Sequence, residues 1–402
     1  MNATVGVVVF VVALVVSVTL HEFGHLVSAK AFGMKARRFF FGFGPTLWSF
    51  HRGETEYGIK AVPAGGFVDI AGMTAQETLS PTEAPRAFYR RPAWQRLTVM
   101  VAGVAINLVT GWLVLVVALL SIGTAAPSTS VAAVSPCLAV ATATTATAPT
   151  CQAGAAPSPA GAAGVRVGDR IVDVAGVPTP TWQQVVTAIQ QAGPGPVSLT
   201  VQRGSARLTL HPSLAAGTLD GKVVGRLGVS PGVVYSSAGV LGSLRTASSY
   251  SWLVTTATAK AIVGIPAAIP NLVRSAMGEA PRSQNGLISV VGAARVSGDL
   301  AALPNVPVQG RLFDLLTLVA GLNLTVGLLN LVPLPPFDGG HMAAILVEVV
   351  RNRVLRLLGR RPMGHVDPAS YQVLTVLGVV VILLFGVLVL TNDLVNPIVL
   401  PQ

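Results

Sequence analysis

Residues 5–25 read VGVVVFVVALVVSVTLHEFGH, an uncharged apolar run that closes on His21-Glu22-Phe23-Gly24-His25. Residues four apart share one face of a helix. A His-Glu-x-x-His motif therefore turns both imidazoles toward one metal, and the intervening Glu reaches the water that such a metal activates. A run of this length and polarity suits a membrane-spanning helix. Ionisable side chains at that depth are costly and point to function. The competing reading is a pair of satisfied histidines at a helix end.

The fold class follows outward from this stretch. Segments 97–122, 312–331 and 373–390 are also long and apolar enough, or nearly so, to span. The first span lacks the basic start and small-residue cleavage site of a secretory signal, so it reads as retained. The expectation is a polytopic α-helical membrane protein of about four transmembrane helices. It would carry a membrane-associated β-hairpin loop and one inserted extracytoplasmic α/β domain. The net charge of +11 is not a nucleic-acid signature. Lys30, Lys35, Arg37 and Arg38 follow the first span, Arg86, Arg90, Arg91 and Arg96 precede the second, and Arg351, Arg353, Arg356, Arg360 and Arg361 separate the last two. Positive loops stay cytoplasmic. This puts 28–96 and 351–370 inside, and both termini with 123–311 outside. Anionic lipid is a compatible partner for the basic face.

Residues 35–70 read as short strands, with Arg38-Phe39-Phe40-Phe41-Gly42-Phe43-Gly44-Pro45 and Val62-Pro63-Ala64-Gly65-Gly66 flanking a turn at Arg52-Gly53-Glu54. The pair either dips back into the bilayer or forms an ordinary cytoplasmic hairpin. In the second span, small residues from Ala102 to Gly111 suit close helix contact, and Asn107 reads as an interhelical packing residue. The 124–161 stretch reads as a flexible tether or insertion. It holds Cys137 and Cys151, a disulfide candidate in an oxidising compartment, with two free thiols as the alternative. Turn-strand-turn, helix and hairpin signals at 163–176, 182–191 and 197–210 outline a small mixed domain able to add a peptide strand. Residues 238–278, interrupted by Pro266 and Pro270, read as one or two amphipathic helices on the outer surface. The expected domains are 1–122, 123–235, 236–311 and 312–402.

A catalytic zinc usually takes three protein ligands. Asp338 follows Asn330-Leu331-Val332-Pro333-Leu334-Pro335-Pro336-Phe337 and precedes Gly339-Gly340-His341. The prolines end the third helix and the glycines let a new one begin tightly, so the carboxylate falls at a helix N-terminus near membrane depth. It is either the third ligand or a helix cap. His341, one turn on, suits a supporting role. His51, His211 and His365 read as solvated.

Taken together, His-Glu-x-x-His on the first span, the glycine-rich strand loop, Ala102-Gly103-x-x-x-Asn107, the Gly168-Asp169-x-Ile171 module and Asn330-x-x-Pro333-x-Pro335-x-x-Asp338-Gly339 resemble the site-2 protease family. The likeness is to its bacterial, actinobacterial-type members with one external PDZ domain. The resemblance implies an intramembrane zinc metalloprotease with His21, His25 and Asp338 holding Zn2+ and Glu22 as general base. Asn330 would hold substrate, and the 39–66 loop, with Gly42, Gly44, Gly65 and Gly66, would pair with an unwound substrate helix. It further implies single-span membrane substrates such as anti-sigma factors, cut first outside by an upstream site-1 type protease, in transmembrane stress signalling. Val104 stands where the family often has Pro, and Thr325 where it often has Asn. A metal transporter or a non-proteolytic PDZ scaffold are the rival classes, and neither explains Glu22 beside the histidines.

Overall fold

The computed structural model describes residues 1–73, 77–137, 151, 156–219, 221–280, 282, 286–303, 306–366 and 372–398. The chain divides into two compact units, one of residues 1–122 with 238–400, the other Gly123–Ser237.

The first unit opens with helix α1 (Ala3–Ala31), capped by the Asn2 side chain on the Val5 amide. Two antiparallel strands follow, β1 (Ala36–Arg52) and β2 (Thr55–Ile70). They are longer than the short strands expected and fold back on themselves, so that Phe39 pairs with both Val68 and Tyr57. The doubling needs sharp bends, and Gly42, Gly44 and Gly65 supply them at φ 91°, 82° and 139°, where a side chain would be strained. Phe40, Phe43 and Phe67 stack within the sheet, while Leu47 and Trp48 at its far end stand exposed. Helix α2 (Ala93–Ser121) then returns along α1.

The second unit starts directly with strand β3 (Thr124–Val134), followed by the short helix α3 (Pro159–Ala162). The tether expectation is therefore corrected at both places. Val131 and Ala160 are fully buried and belong to the core of this unit, so pairing with neighbouring strands and core packing made a strand where composition suggested a linker. The rest of the presumed insertion, 138–150 and 152–155, lies outside the described residues. Next come β4 (Arg170–Val174), β5 (Val177–Pro178), α4 (Trp182–Ala192), β6 (Gly195–Pro196), β7 (Leu199–Arg203), β8 (Ala206–Leu210), β9 (Ser213–Leu219), β10 (Lys222–Arg226) and β11 (Val229–Ser236). The main sheet runs β11-β3-β4-β7-β8, with β5 beside β4. Thr181 and Gln184 form a capping box that starts α4. Cys137 and Cys151 are joined by a disulfide, their Cα atoms 5.9 Å apart.

The chain re-enters the first unit through α5 (Gly239–Ala276), α6 (Val290–Ala302), α7 (Val308–Leu329), α8 (Asp338–Leu357) and α9 (Gln372–Val395). Helices α1, α2, α5, α7 and α9 are each long and apolar enough to cross a membrane. The expectation of helices broken at Pro266 and Pro270 is corrected, for α5 continues through both. The prolines stand four residues apart on one face, so the missing amide bonds are confined to one side of the helix.

Contacts fix the directions of these helices. Arg311 at the start of α7 donates to the Met1 carbonyl, Ser297 of α6 donates to the Gly6 carbonyl, and Asp393 near the end of α9 accepts from the Ser289 amide before α6. The starts of α1 and α7, the end of α9 and helix α6 thus share one end of the bundle. Helix α5 touches that end twice. Leu244 and Ala247 pack with Leu115 and Leu119 near the end of α2, and Ser275 donates to Asn392.

Candidate metal centre

Helical phase brings His21 and His25 together on the face of α1 that crosses α2. Their side chains are 8% and 5% exposed. The crossing is close because it is built from glycines. A Cβ on Gly24 would lie 2.5 Å from the Ala102 carbonyl oxygen, and one on Gly103 would lie 2.5 Å from His25 Nε2 and 3.0 Å from His21 Cε1. The space that a side chain at position 103 would fill is taken by the two imidazoles.

Asp338 arrives from the far end of the chain as the first residue of α8. The turn before it is tied by the Gly339 amide donating to the Asn330 carbonyl at 2.7 Å, and a Cβ on Gly340 would meet the backbone of Pro335 at 2.6 Å. This tight turn sets the Asp338 carboxylate beside the histidines. Its Oδ2 is 2.9 Å from His21 Nε2 and 3.1 Å from His25 Nε2, and the two Nε2 atoms are 3.2 Å apart. The rings meet edge to face at 87°.

These three atoms suit a zinc ion. Ligands at about 2.0–2.1 Å from a tetrahedral ion are themselves roughly 3.3 Å apart, close to the triangle present here. The chemistry of the set agrees, with two imidazoles and one carboxylate leaving a fourth position open. Orientation agrees as well. His25 Nδ1 lies 2.7 Å from the Val99 carbonyl oxygen, which fixes the N–H on Nδ1 and turns the Nε2 lone pair toward the other two groups. His21 Nδ1 is buried without a partner among the described residues.

Glu22 sits between the two histidines on α1, against β2. A Cβ on Gly66 would lie 3.1 Å from the Glu22 Cγ, so glycine there lets the strand approach the carboxylate side chain. Gly66 is the one of the four loop glycines that reaches α1, whereas Gly42, Gly44 and Gly65 shape bends within the sheet. Asn330 caps α7, with Nδ2 donating to the Val326 carbonyl and its own carbonyl holding the Asp338 turn. Asn107 is fully buried one turn beyond Gly103, and neither of its side-chain polar atoms has a partner among the described residues. His51, His211 and His365 are exposed, the last packing on Tyr89. Two features were invisible in the sequence. One is the Val99 carbonyl, which any residue could provide. The other is a buried ion pair of Arg96 with Glu348, residues 252 apart.

A family model for peptidase family M50 matches residues 9–361. The zinc metalloprotease Rip1 of Mycobacterium tuberculosis is 36% identical over 413 residues, covering 99% of each chain. The Rip1 of Mycolicibacterium smegmatis is 34% identical over 419 residues, covering 98% of each. The metalloprotease MmpA of Caulobacter vibrioides is 28% identical over 387 residues, covering 88% of this chain and 89% of its own.

Proposed function

The chain belongs to peptidase family M50 and is a zinc metalloendopeptidase with several membrane-spanning helices, and from that premise we propose that it cleaves peptide bonds within the transmembrane segments of single-span proteins. The observation that carries this reading is the convergence of the buried His21 and His25 with the half-buried Asp338 around one point within an apolar helix bundle. His21, His25 and Asp338 hold the zinc. A zinc ion held there would supply acidification of a water molecule and polarisation of the scissile carbonyl. Glu22 accepts a proton from the attacking water and passes it to the amine as the C–N bond breaks. Gly66 lets β2 lie against the half-buried Glu22 side chain, which adjoins His21 on the same helix. A helical substrate hides its carbonyls in its own hydrogen bonds. An extended stretch laid against β1 and β2 exposes one to attack, with backbone pairing replacing the lost helical bonds.

Four spans, α1, α2, α7 and α9, cross the membrane in this reading. Helix α5, about 57 Å long at 1.5 Å per residue, meets the same end of the bundle at both of its ends and lies across the outer surface. The basic clusters then face the cytoplasm. The unit 123–237 stands outside as a PDZ-like domain. A groove of about 290 Å³ between Trp182, Val186 and Ile189 of α4 and the Leu227-Gly228-Val229 segment is of a form that accepts an extended chain terminus. Substrates pre-cut outside by another protease, anti-sigma factors among them, fit such an arrangement, and anionic lipid fits the cytoplasmic arginines.

The test is Glu22→Gln in purified protein. Cleavage of a model transmembrane substrate should vanish, with zinc content and unfolding temperature kept. Turnover by this variant at the wild-type rate would end the proposal.

A further inference from the structure

One face of α2 carries Arg96, Val99, Met100, Gly103 and Asn107, all buried. Over its first two and a half turns this face meets both halves of the metal centre. Val99 receives the His25 ring at Nδ1, and Gly103 makes room for both imidazoles. Val99, Met100 and Val104 also pack in one cluster with Met342 and Ile345 of α8, the helix whose first residue is Asp338. One turn before Val99, the Arg96 guanidinium grips the Glu348 carboxylate with two prongs, Nη1 to Oε2 at 3.1 Å and Nη2 to Oε1. The side chains are 7% and 10% exposed. Both partners are held further. Arg96 Nε donates to the Arg91 carbonyl, and the Val366 amide donates to Glu348 Oε2.

This pair is unlike the other contacts between α2 and α8. Apolar packing tolerates small sliding of one helix along another, whereas a planar two-pronged bond fixes both distance and rotation. Asp338 and Glu348 share a single unbroken helix, so fixing Glu348 fixes the axial position and phase of the Asp338 carboxylate about 15 Å away. The histidine half needs no such clamp, because Val99 and Gly103 index it directly. We propose that Arg96 and Glu348 are positioning residues for the metal centre, registering α8 on α2 so that the Asp338 carboxylate meets the imidazoles already indexed by that same face. This rests on His21, His25 and Asp338 being the zinc ligands.

The geometry predicts which ligand loosens. Breaking the pair frees α8 and spares the contacts of His25, so the carboxylate oxygen should leave the zinc while both imidazoles remain. A pair that only stabilised the bundle would lower unfolding temperature and leave the coordination of folded molecules alone.

The experiment replaces the pair with apolar residues of similar size, Arg96→Met with Glu348→Leu, in the full-length protein. Substituting a whole buried pair in this way is often neutral for stability. Zinc affinity is measured by competition with a chromophoric chelator, and the ligand set by X-ray absorption at the zinc edge. The expected result is a wild-type unfolding temperature for the zinc-free protein, affinity about 10–100-fold weaker, and a spectrum with two imidazoles but without the carboxylate oxygen. Wild-type affinity and an unchanged spectrum in the folded double variant would overturn the proposal. Arg96→Lys serves if the double variant does not fold, since it keeps the charge and loses the planar fork. It should show part of the same loss, and an unchanged affinity would equally overturn the positioning role. His21→Ala separates the two readings. Zinc bound by that variant as by wild type would overturn the ligand assignment itself, whatever the pair does.

Discussion

The two units of this chain bury polar groups in opposite ways. In Gly123–Ser237, around a core of Val131, Ile171, Val174, Val185, Leu199 and Val201, the buried charge Asp169 is saturated by Arg203 at 2.7 and 2.8 Å and by the Arg166 amide at 2.8 Å, and Thr179 Oγ1 is the buried side-chain atom of that unit without a partner among the described residues. In the helical unit, His21, His25, Asn107, Arg96 and Glu348 are all buried along one face of α2 or against it. An unsatisfied buried polar group costs about 1–3 kcal/mol, and His21 Nδ1 and both polar atoms of the Asn107 side chain have no partner among the described residues, which is expensive for folding alone. The difference teaches where chemistry resides. In one unit the buried charge closes the fold, and in the other the buried polar groups converge on His21, His25 and Asp338.

The comparison breaks most readily at the histidines. His25→Ala should abolish both zinc binding and substrate cleavage, with zinc read by metal analysis. Gly103→Ala comes next. The added methyl collides with rings held by the Val99 carbonyl and the Asp338 carboxylate, and overpacking of this kind costs about 1–3 kcal/mol. Zinc affinity and unfolding temperature should fall together, and Gly→Ala at Gly386, an exposed helical glycine with nothing within 4 Å, gives the contrasting control.

Changes in the second unit should act on stability and leave zinc untouched. Replacing Cys137 and Cys151 together by Ser opens a loop with a sequence separation of 14, and the chain-entropy model puts the loss near 3 kcal/mol. Faster amide exchange in 156–236 with unchanged zinc content is the expected outcome. The smallest effect concerns pH. The Arg203 hydrogen bonds beside Asp169 hold its carboxyl below the ordinary carboxylate value. A depressed folded value means that Asp169 contributes fully above the unfolded pKa of about 3.9 and loses that contribution as pH falls through the folded one. Amide exchange around 166–203 should therefore accelerate below about pH 4, and Asp169→Asn should flatten that dependence at a cost of about 1–2 kcal/mol at neutral pH.

Legibility in the sequence divides along the same line. The pairing of His21 with His25 is written in helical spacing. The turn to Asp338 is written in prolines and glycines, whose backbone limits are local properties. Local signals failed where a distant partner decides the outcome. Thr124–Val134 looks like a linker until β11 and β4 flank it, and α5 looks broken at Pro266 and Pro270 until the helix is seen to continue past them. The doubling of β1 on β2 depends on a register that no short window contains. Arg96 passes for one more basic residue at a membrane boundary, and Glu348 for a polar residue on an arginine-rich helix. Nothing in either neighbourhood announces that they meet.

On the proposed function, two histidines from the first helix and one aspartate from the eighth share a single ion. X-ray absorption at the zinc edge of the Glu22→Gln protein tests it most directly. The account predicts one zinc per chain with two imidazole nitrogens and a carboxylate oxygen, and loss of that oxygen alone in the Glu22→Gln protein carrying Asp338→Ala. A zinc shell that is identical with and without the Asp338 carboxylate would contradict it.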